Sequence, residues 1–313
     1  MARRTAAALA YGGAGVGLLG VGLVGLLLAE AKLAEIQLDA LKGEPPRADG
    51  LYGQDFAGQD LAGRDAPPLA MAVLGDSTAA GFGVDRGRDT PGALLAGGIA
   101  SIAERPVRLL VVAANGAASD DLERQTRIVL DGRPAPDVAL IMVGANDIAQ
   151  RITTAQSVRM LGDTVRQLRA AGTQVVVGTC PDLGVVQPIR PPLRTLARLA
   201  SHRLAAAQSR VVTANGGHSV ELGSLLGPEF AHKPQMFASD RYHPSVQGYL
   251  TAVMALLPAI CTALAIWPNE TPPVERQAVP PVLLPDRAGV GAGTRVGRMA
   301  APRRRARLQP HRG

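Results

Sequence analysis

From Leu69 onward the chain alternates short, continuous apolar runs with longer stretches in which apolar residues recur every three or four positions. The runs Leu69–Leu74, Val107–Ala113, Val138–Val143 and Gln174–Thr179, and more weakly Arg210–Thr213, predict strands by their length and β-branched content. Between them, Pro91–Ile102, Asp120–Leu130, Ala155–Ala171 and Pro192–Ala207 predict helices. A last helix is predicted from about Pro244 to Ile266, with Val246, Leu250, Val253, Leu257, Ile260 and Leu264 at helical spacing. Strands that are apolar on both sides need cover on both faces. The pattern therefore predicts an α/β fold: a three-layer α/β/α sandwich around a mostly parallel five-stranded sheet, spanning residues 69–267.

The flanks follow other patterns. Ala2-Arg3-Arg4 precedes an uncharged stretch, Thr5–Ala29. At about 1.5 Å per residue it reaches about 37 Å, enough for a hydrocarbon core of about 30 Å. The sequence leaves two readings of residues 5–29. One is an uncleaved transmembrane anchor, with residues 1–4 cytoplasmic and the rest outside the plasma membrane. The other is a long signal peptide whose cleavage would release a secreted protein. The length of the apolar run favours the anchor. Residues 30–68 are polar and turn-rich, with Pro45-Pro46, and read as a stalk after a short helical continuation near Ala31–Leu41. Residues 268–313 hold eight prolines and no apolar periodicity, the pattern of a disordered tail.

The net charge of +7 resembles a nucleic-acid signal until it is located. Nine arginines and only three acids lie in the tail, so the rest of the chain is close to neutral, and nucleic-acid binding by the domain has no support. The tail's Arg303-Arg304-Arg305 and Arg307 could associate weakly with anionic lipid or envelope polymer, or simply be solvated. Two cysteines, Cys180 and Cys261, are too few for a disulfide framework or a thiolate metal site, and both lie in apolar runs.

Parallel sheets bind ligands at the carboxyl ends of their strands, and there the chain concentrates polar residues. The first strand ends in Gly75-Asp76-Ser77, the second in Ala114-Asn115-Gly116, the third in Gly144-Ala145-Asn146-Asp147, and the fourth in Cys180-Pro181-Asp182. Ser239-Asp240-Arg241-Tyr242-His243-Pro244 follows near the end of the domain. A serine at a strand-to-turn junction is placed as a nucleophile, and it needs a base. Of five histidines, His243 is best placed, because Pro244 fits the first turn of the last helix. Asp240, three residues earlier, could stabilise the imidazolium; Asp147 and Asp182 also sit at strand ends and compete for that role. Gly116 and Asn146 could donate to an oxyanion, and Cys180 could be proposed as a thiol nucleophile in place of the serine. Arg86, Arg88 and the Val186–Pro192 loop with Arg190 could form a rim.

These blocks resemble those of the SGNH (GDSL-type) hydrolases, in the family's order and over about 200 residues. The resemblance rests on Gly75-Asp76-Ser77-Thr78-Ala79-Ala80-Gly81, Asn115-Gly116, Gly144-Ala145-Asn146-Asp147 and Asp240-Arg241-Tyr242-His243, with Thr78 where leucine commonly follows the serine. It implies a flavodoxin-like SGNH hydrolase fold. It also implies a triad of Ser77, His243 and Asp240, with an oxyanion hole from Ser77, Gly116 and Asn146. No metal or organic cofactor is implied. The expected activity is hydrolysis of a carboxylic ester, an acyl lipid or an acylated glycan, through an acyl-enzyme. Two alternatives remain at this point: acyl transfer to a sugar or lipid hydroxyl, and a catalytically idle binding module on a membrane stalk.

Overall fold

The central strands are apolar in both directions because each is covered twice. In the computed structural model, which describes residues 43–56, 67–131 and 134–266, six strands form one sheet: β1 (Gly50–Tyr52), β2 (Leu69–Gly75), β3 (Val107–Val111), β4 (Val138–Met142), β5 (Gln174–Gly178) and β6 (His218–Val220). Their order is β1-β3-β2-β4-β5-β6, with β1 antiparallel to β3 and every other pairing parallel.

Eight α-helices accompany them among the described residues: α1 (Ser77–Ala80), α2 (Pro91–Ala103), α3 (Leu122–Leu130), α4 (Ala145–Ala149), α5 (Thr154–Ala170), α6 (Leu193–Ala214), α7 (Leu222–His232) and α8 (Val246–Ala263). Alternation along β2 divides the core. Leu69, Met71 and Val73 face a cluster built with α2, α7 and α8 through Leu95, Ile99, Leu222, Val253, Leu256 and Ile260. Ala72 and Leu74 face the other cluster, formed with α3, α5 and α6 through Leu122, Val129, Leu161, Val165, Leu168 and Val212. Local chemistry sets the helix starts: Thr90 caps α2 ahead of Pro91, Thr153 and Gln156 form a capping box on α5, and Ser245 caps α8. β3 and β4 lie on opposite sides of β2, so the chain reverses direction across the sheet there and opens a crevice at the carboxyl end of β2.

The α/β/α class agrees with the expectation, with three corrections. The sheet has six strands, because part of the expected stalk packs on the domain: β1 pairs with β3, Ala48 is buried, and Asp49 Oδ1 accepts from Val111 N at 2.8 Å. Arg210–Thr213 is helix, not strand; it ends α6, and Val212 continues that helix's buried stripe. The sheet's last strand is instead β6, three residues long. The helix α7 was not anticipated, since Gly223, Gly227 and Pro228 interrupt its pattern.

One described helix, α8, is long and apolar enough to cross a bilayer. Tyr249, Leu256 and Ile260 on it are nevertheless fully buried in the domain, so it is a core-facing helix. The described residues all belong to one compact unit. The expected anchor at 5–29, the helical continuation near Ala31–Leu41 and the tail from 268 lie outside the described residues.

Candidate active site

β2 delivers Ser77 to the crevice. Gly75 ends the strand at φ +130°, where a side chain would run into the Met142 carbonyl of β4. Asp76 then caps α1, its carboxylate accepting from Thr78 N at 2.9 Å. This makes Asp76 part of the turn. Burial pushes its carboxyl up to about 6, although the Thr78 and Ala79 N–H groups and the charge of His243 pull the other way.

The loop before α8 returns His243 to the serine. Its Nε2 lies 2.9 Å from Ser77 Oγ, and its Nδ1 lies 2.6 Å from Asp240 Oδ2. Asp240 Oδ1 accepts from Tyr242 N at 2.8 Å and from His243 N at 2.9 Å, closing a turn in which Arg241 takes φ +57°. Burial is the largest single influence on the Asp240 carboxyl and raises it. The hydrogen bonds from the His243 ring and from the Tyr242 and His243 N–H groups together outweigh it and hold Asp240 below the usual carboxylate range. With Nδ1–H donating to Asp240, Nε2 is the acceptor for the Ser77 hydroxyl. The ring is buried between Phe82, at a centroid distance of 4.5 Å, and Tyr242, at 4.8 Å. Gly83, at φ +99°, lets the Phe82 loop approach: a Cβ there would sit 2.8 Å from Pro244 O and 3.0 Å from His243 Cβ.

The other two blocks are tied to each other. Asn146, on α4, donates one Nδ2 hydrogen to Ala117 O at 2.8 Å and keeps a second. Gly116 takes φ +76°, and its carbonyl accepts from Gln150 Nε2 at 3.0 Å, which fixes the orientation of the loop. Asp147, fully buried, accepts from Ser119 N at 3.0 Å and from Ser119 Oγ at 2.9 Å, and Ser157 Oγ lies 3.1 Å from that hydroxyl. Burial raises the Asp147 carboxyl despite those donors. Neither Ser77 N–H nor Gly116 N–H meets a protein acceptor among the described residues.

Of the three acids raised by the sequence, Asp240 is the one against His243. Asp147 clamps the Gly116 loop. Asp182 accepts from Gly184 N at 2.7 Å and pairs with Arg198 at 3.0 Å and His202 at 3.4 Å. Cys180 is buried, and burial pushes its thiol well above the usual range, so it does not supply a thiolate. Arg86, Arg88 and Arg190 are exposed. Sequence reasoning missed Gln125. Fully buried on α3, it accepts from Gly75 N at 2.7 Å and donates to Gly75 O at 3.0 Å and to Asp121 Oδ2 at 2.8 Å. The signal was available: Gln125 is a polar residue in the stripe Leu122, Gln125, Thr126, Val129 that α3 turns to the core.

An apolar pocket of about 80 Å³ is bounded by Thr78, Tyr242 and Pro244, the chain neighbours of Ser77 and His243. Thr78, Met142 and Ala145 line it on the sheet side, with Val186, Leu226 and Phe230 opposite. No group of three or more metal-ligating side chains occurs among the described residues.

Comparison with known proteins agrees with this geometry. The model of the GDSL-like lipase/acylhydrolase family matches residues 73–250. The chain is 44% identical over 207 residues to the GDSL-like esterase Rv1075c of Mycobacterium tuberculosis; the match covers 64% of this chain and 66% of that protein, just under two thirds of its length. In structure it is similar to LAE5, an alpha/beta hydrolase enzyme from the Lake Arreo metagenome in Spain. The TM-score is 0.51 at 18% identity, over 65% of this chain and 98% of that one, a likeness of fold. Since the matched residues make up more than half of its length and include Ser77, Gly116, Asn146 and His243, the chain belongs to the GDSL-like lipase/acylhydrolase family.

Proposed function

We propose that the protein is a serine ester hydrolase working through an acyl-enzyme on Ser77. The observation that carries this reading is the unbroken relay from Ser77 Oγ to His243 Nε2 and from His243 Nδ1 to Asp240. In the reading, His243 takes the Ser77 proton as Oγ attacks the ester carbonyl carbon. The carbonyl oxygen becomes an oxyanion, held by the Ser77 and Gly116 N–H groups and the second Asn146 Nδ2 hydrogen. The imidazolium, its charge balanced by Asp240, returns the proton to the departing alcohol. Water then attacks the acyl-enzyme, using the same base, and releases the acid. Asn146 suits this role because its bond to Ala117 fixes the amide while leaving one hydrogen to donate.

The pocket between the Pro181–Val186 loop, α7 and α8 is the proposed acyl site. Its small volume of about 80 Å³ and its apolar lining suit a short to medium acyl chain, the expected preference. The reading also holds the chain at the outer face of the plasma membrane by Thr5–Ala29, with the alcohol part of the substrate facing solvent.

Hydrolysis of p-nitrophenyl esters of increasing chain length tests the reading. Activity is expected to peak at medium chains, and Ser77→Ala is expected to lower kcat on the order of 10⁶-fold. Undiminished turnover by Ser77→Ala would refute the acyl-enzyme. Ester product forming ahead of free acid in the presence of an acceptor alcohol would replace hydrolysis with transfer.

A further inference from the structure

The two outer layers of the sandwich differ sharply in charge. On one side, α3, α5 and α6 carry eleven charged residues, nine of them arginine. On the other side, α2 and α8 carry none, and α7 carries only Glu229. A helix lying on a solvated surface ordinarily turns charges outward. The positions that α8 turns outward are Val246, Gln247, Leu250, Met254, Pro258 and Thr262, the last five spaced three or four apart in a single stripe. Met254 is 71% exposed and Leu250 46%, and Leu225 on neighbouring α7 is 59% exposed. The stripe is continuous with α2, which packs on α8 through Gly98 and Leu257.

We infer that this face, formed by α8 with α2 and α7, lies against a lipid bilayer. The inference rests on the anchored reading of Thr5–Ala29, and the path of the chain supports it. The described chain begins at Gly43 and runs to Tyr52 and Phe56, which pack on the same core cluster as α2. It therefore enters the domain on the uncharged side. Residues 30–42 between the uncharged stretch and Gly43 span at most roughly 45 Å when fully extended, which keeps the domain within about its own diameter of the membrane. Where the face touches the bilayer, charged side chains on it would have to be desolvated, and α2 and α8 have none to desolvate. Burying Leu250, Met254 and Leu225 at the interface instead removes apolar surface from water. The pocket that Thr78 borders is lined by Leu222, Leu226 and Phe230 of α7 and by Tyr249 and Ala252 of α8. The helices that meet the lipid would thus be those that bound the acyl site.

The test uses the full chain in vesicles of phosphatidylcholine with a minor share of phosphatidylglycerol. Leu250→Cys and Met254→Cys are labelled separately with an environment-sensitive fluorophore, with Arg203→Cys on α6 as the opposite-face control. The native Cys180 and Cys261 are buried. Expected are a blue-shifted emission and quenching by doxyl-labelled lipid at 250 and 254, with quenching by aqueous iodide at 203. Four results would overturn the inference. Floating protein with iodide-quenched labels at 250 and 254 would do so while leaving the anchor intact. Protein that does not float with vesicles would remove the anchored reading as well. Labels shielded from both quenchers would show the stripe covered by protein, by residues 5–29 themselves or, where shielding grows with protein concentration, by a second copy. Lipid quenching at 203 instead would assign the membrane to the arginine-rich face.

Discussion

Gln125 provides a severe test of how Ser77 is held. β3 ends at Val111, opposite Val73 and two residues short of the end of β2, and the side-chain amide of Gln125 bonds both polar groups of Gly75 beyond that point. Gln125→Met keeps length and volume and removes both bonds. Gly75 O retains Ala114 N at 3.1 Å, whereas Gly75 N–H is left without a partner in a buried site. An orphaned buried donor costs about 1–3 kcal/mol, so the expected loss is about 2 kcal/mol, or about 4–8 °C in Tm for a domain of this size. Ser77 lies two residues on, and a displacement of about 1 Å can cost about 10²-fold in rate, so kcat is expected to fall about 10–100-fold with KM little changed. Gln125→Glu separates the two bonds: its carboxylate still accepts from Gly75 N but faces Gly75 O and Asp121 Oδ2. Its deficit should therefore be larger at pH 8 than at pH 5, where protonation restores a donor. Urea unfolding monitored by circular dichroism, with ester kinetics on the same samples, reads both effects. A Met variant within about 0.5 kcal/mol of the parent and with unchanged kcat would refute the reasoning.

Other predictions address the remaining groups. Asn146→Ala is expected to lower kcat about 10²–10³-fold with a small change in KM, measured by steady-state ester hydrolysis. Asp240→Asn should lower kcat about 10⁴-fold; Asp182→Asn should retain turnover and lose stability, since it breaks the contacts to Arg198 and His202. The reverse pattern would move the triad acid to Asp182. For Asp76, the folded-state carboxyl at about 6 lies above its ordinary value of 3.8, so ionisation opposes folding and stability falls as pH rises between the two. A shift of about two units corresponds to about 3 kcal/mol, and Asp76→Asn should gain about that much relative to the parent between pH 4 and pH 7. Parallel urea curves across that range would argue against the burial effect.

The frame was legible because β2, β4 and β5, buried on both faces, read as continuous apolar runs, and β3 is interrupted only by the exposed Arg108. The strand-end blocks were legible too: Ser77, Asn146 and the Asp240–His243 pair sit where a sheet of this kind exposes its carboxyl ends. Other features depend on contacts that no local pattern encodes. Val211, Val212 and Thr213 have the β-branched character of a strand, yet Val212 extends the buried stripe of α6, and packing overrode propensity. β1 and β6 have three residues each, too few for a periodicity, and each is held at the sheet edge by a single partner strand. The clamp joins Asp147 to Ser119, 28 positions away, and Ser119 to Ser157, 38 positions away, so only the fold brings it together. Phe82 was unremarkable in sequence until the loop placed its ring on His243.

The central claim is that Ser77 carries the acyl group. Mass spectrometry of the full chain after reaction with a fluorophosphonate reads this directly. The account predicts one adduct per chain, on the peptide containing Ser77, strongly slowed in His243→Gln and absent in Ser77→Ala. An unmodified Ser77 in protein whose ester turnover the reagent abolishes, with the adduct on another residue, would contradict it.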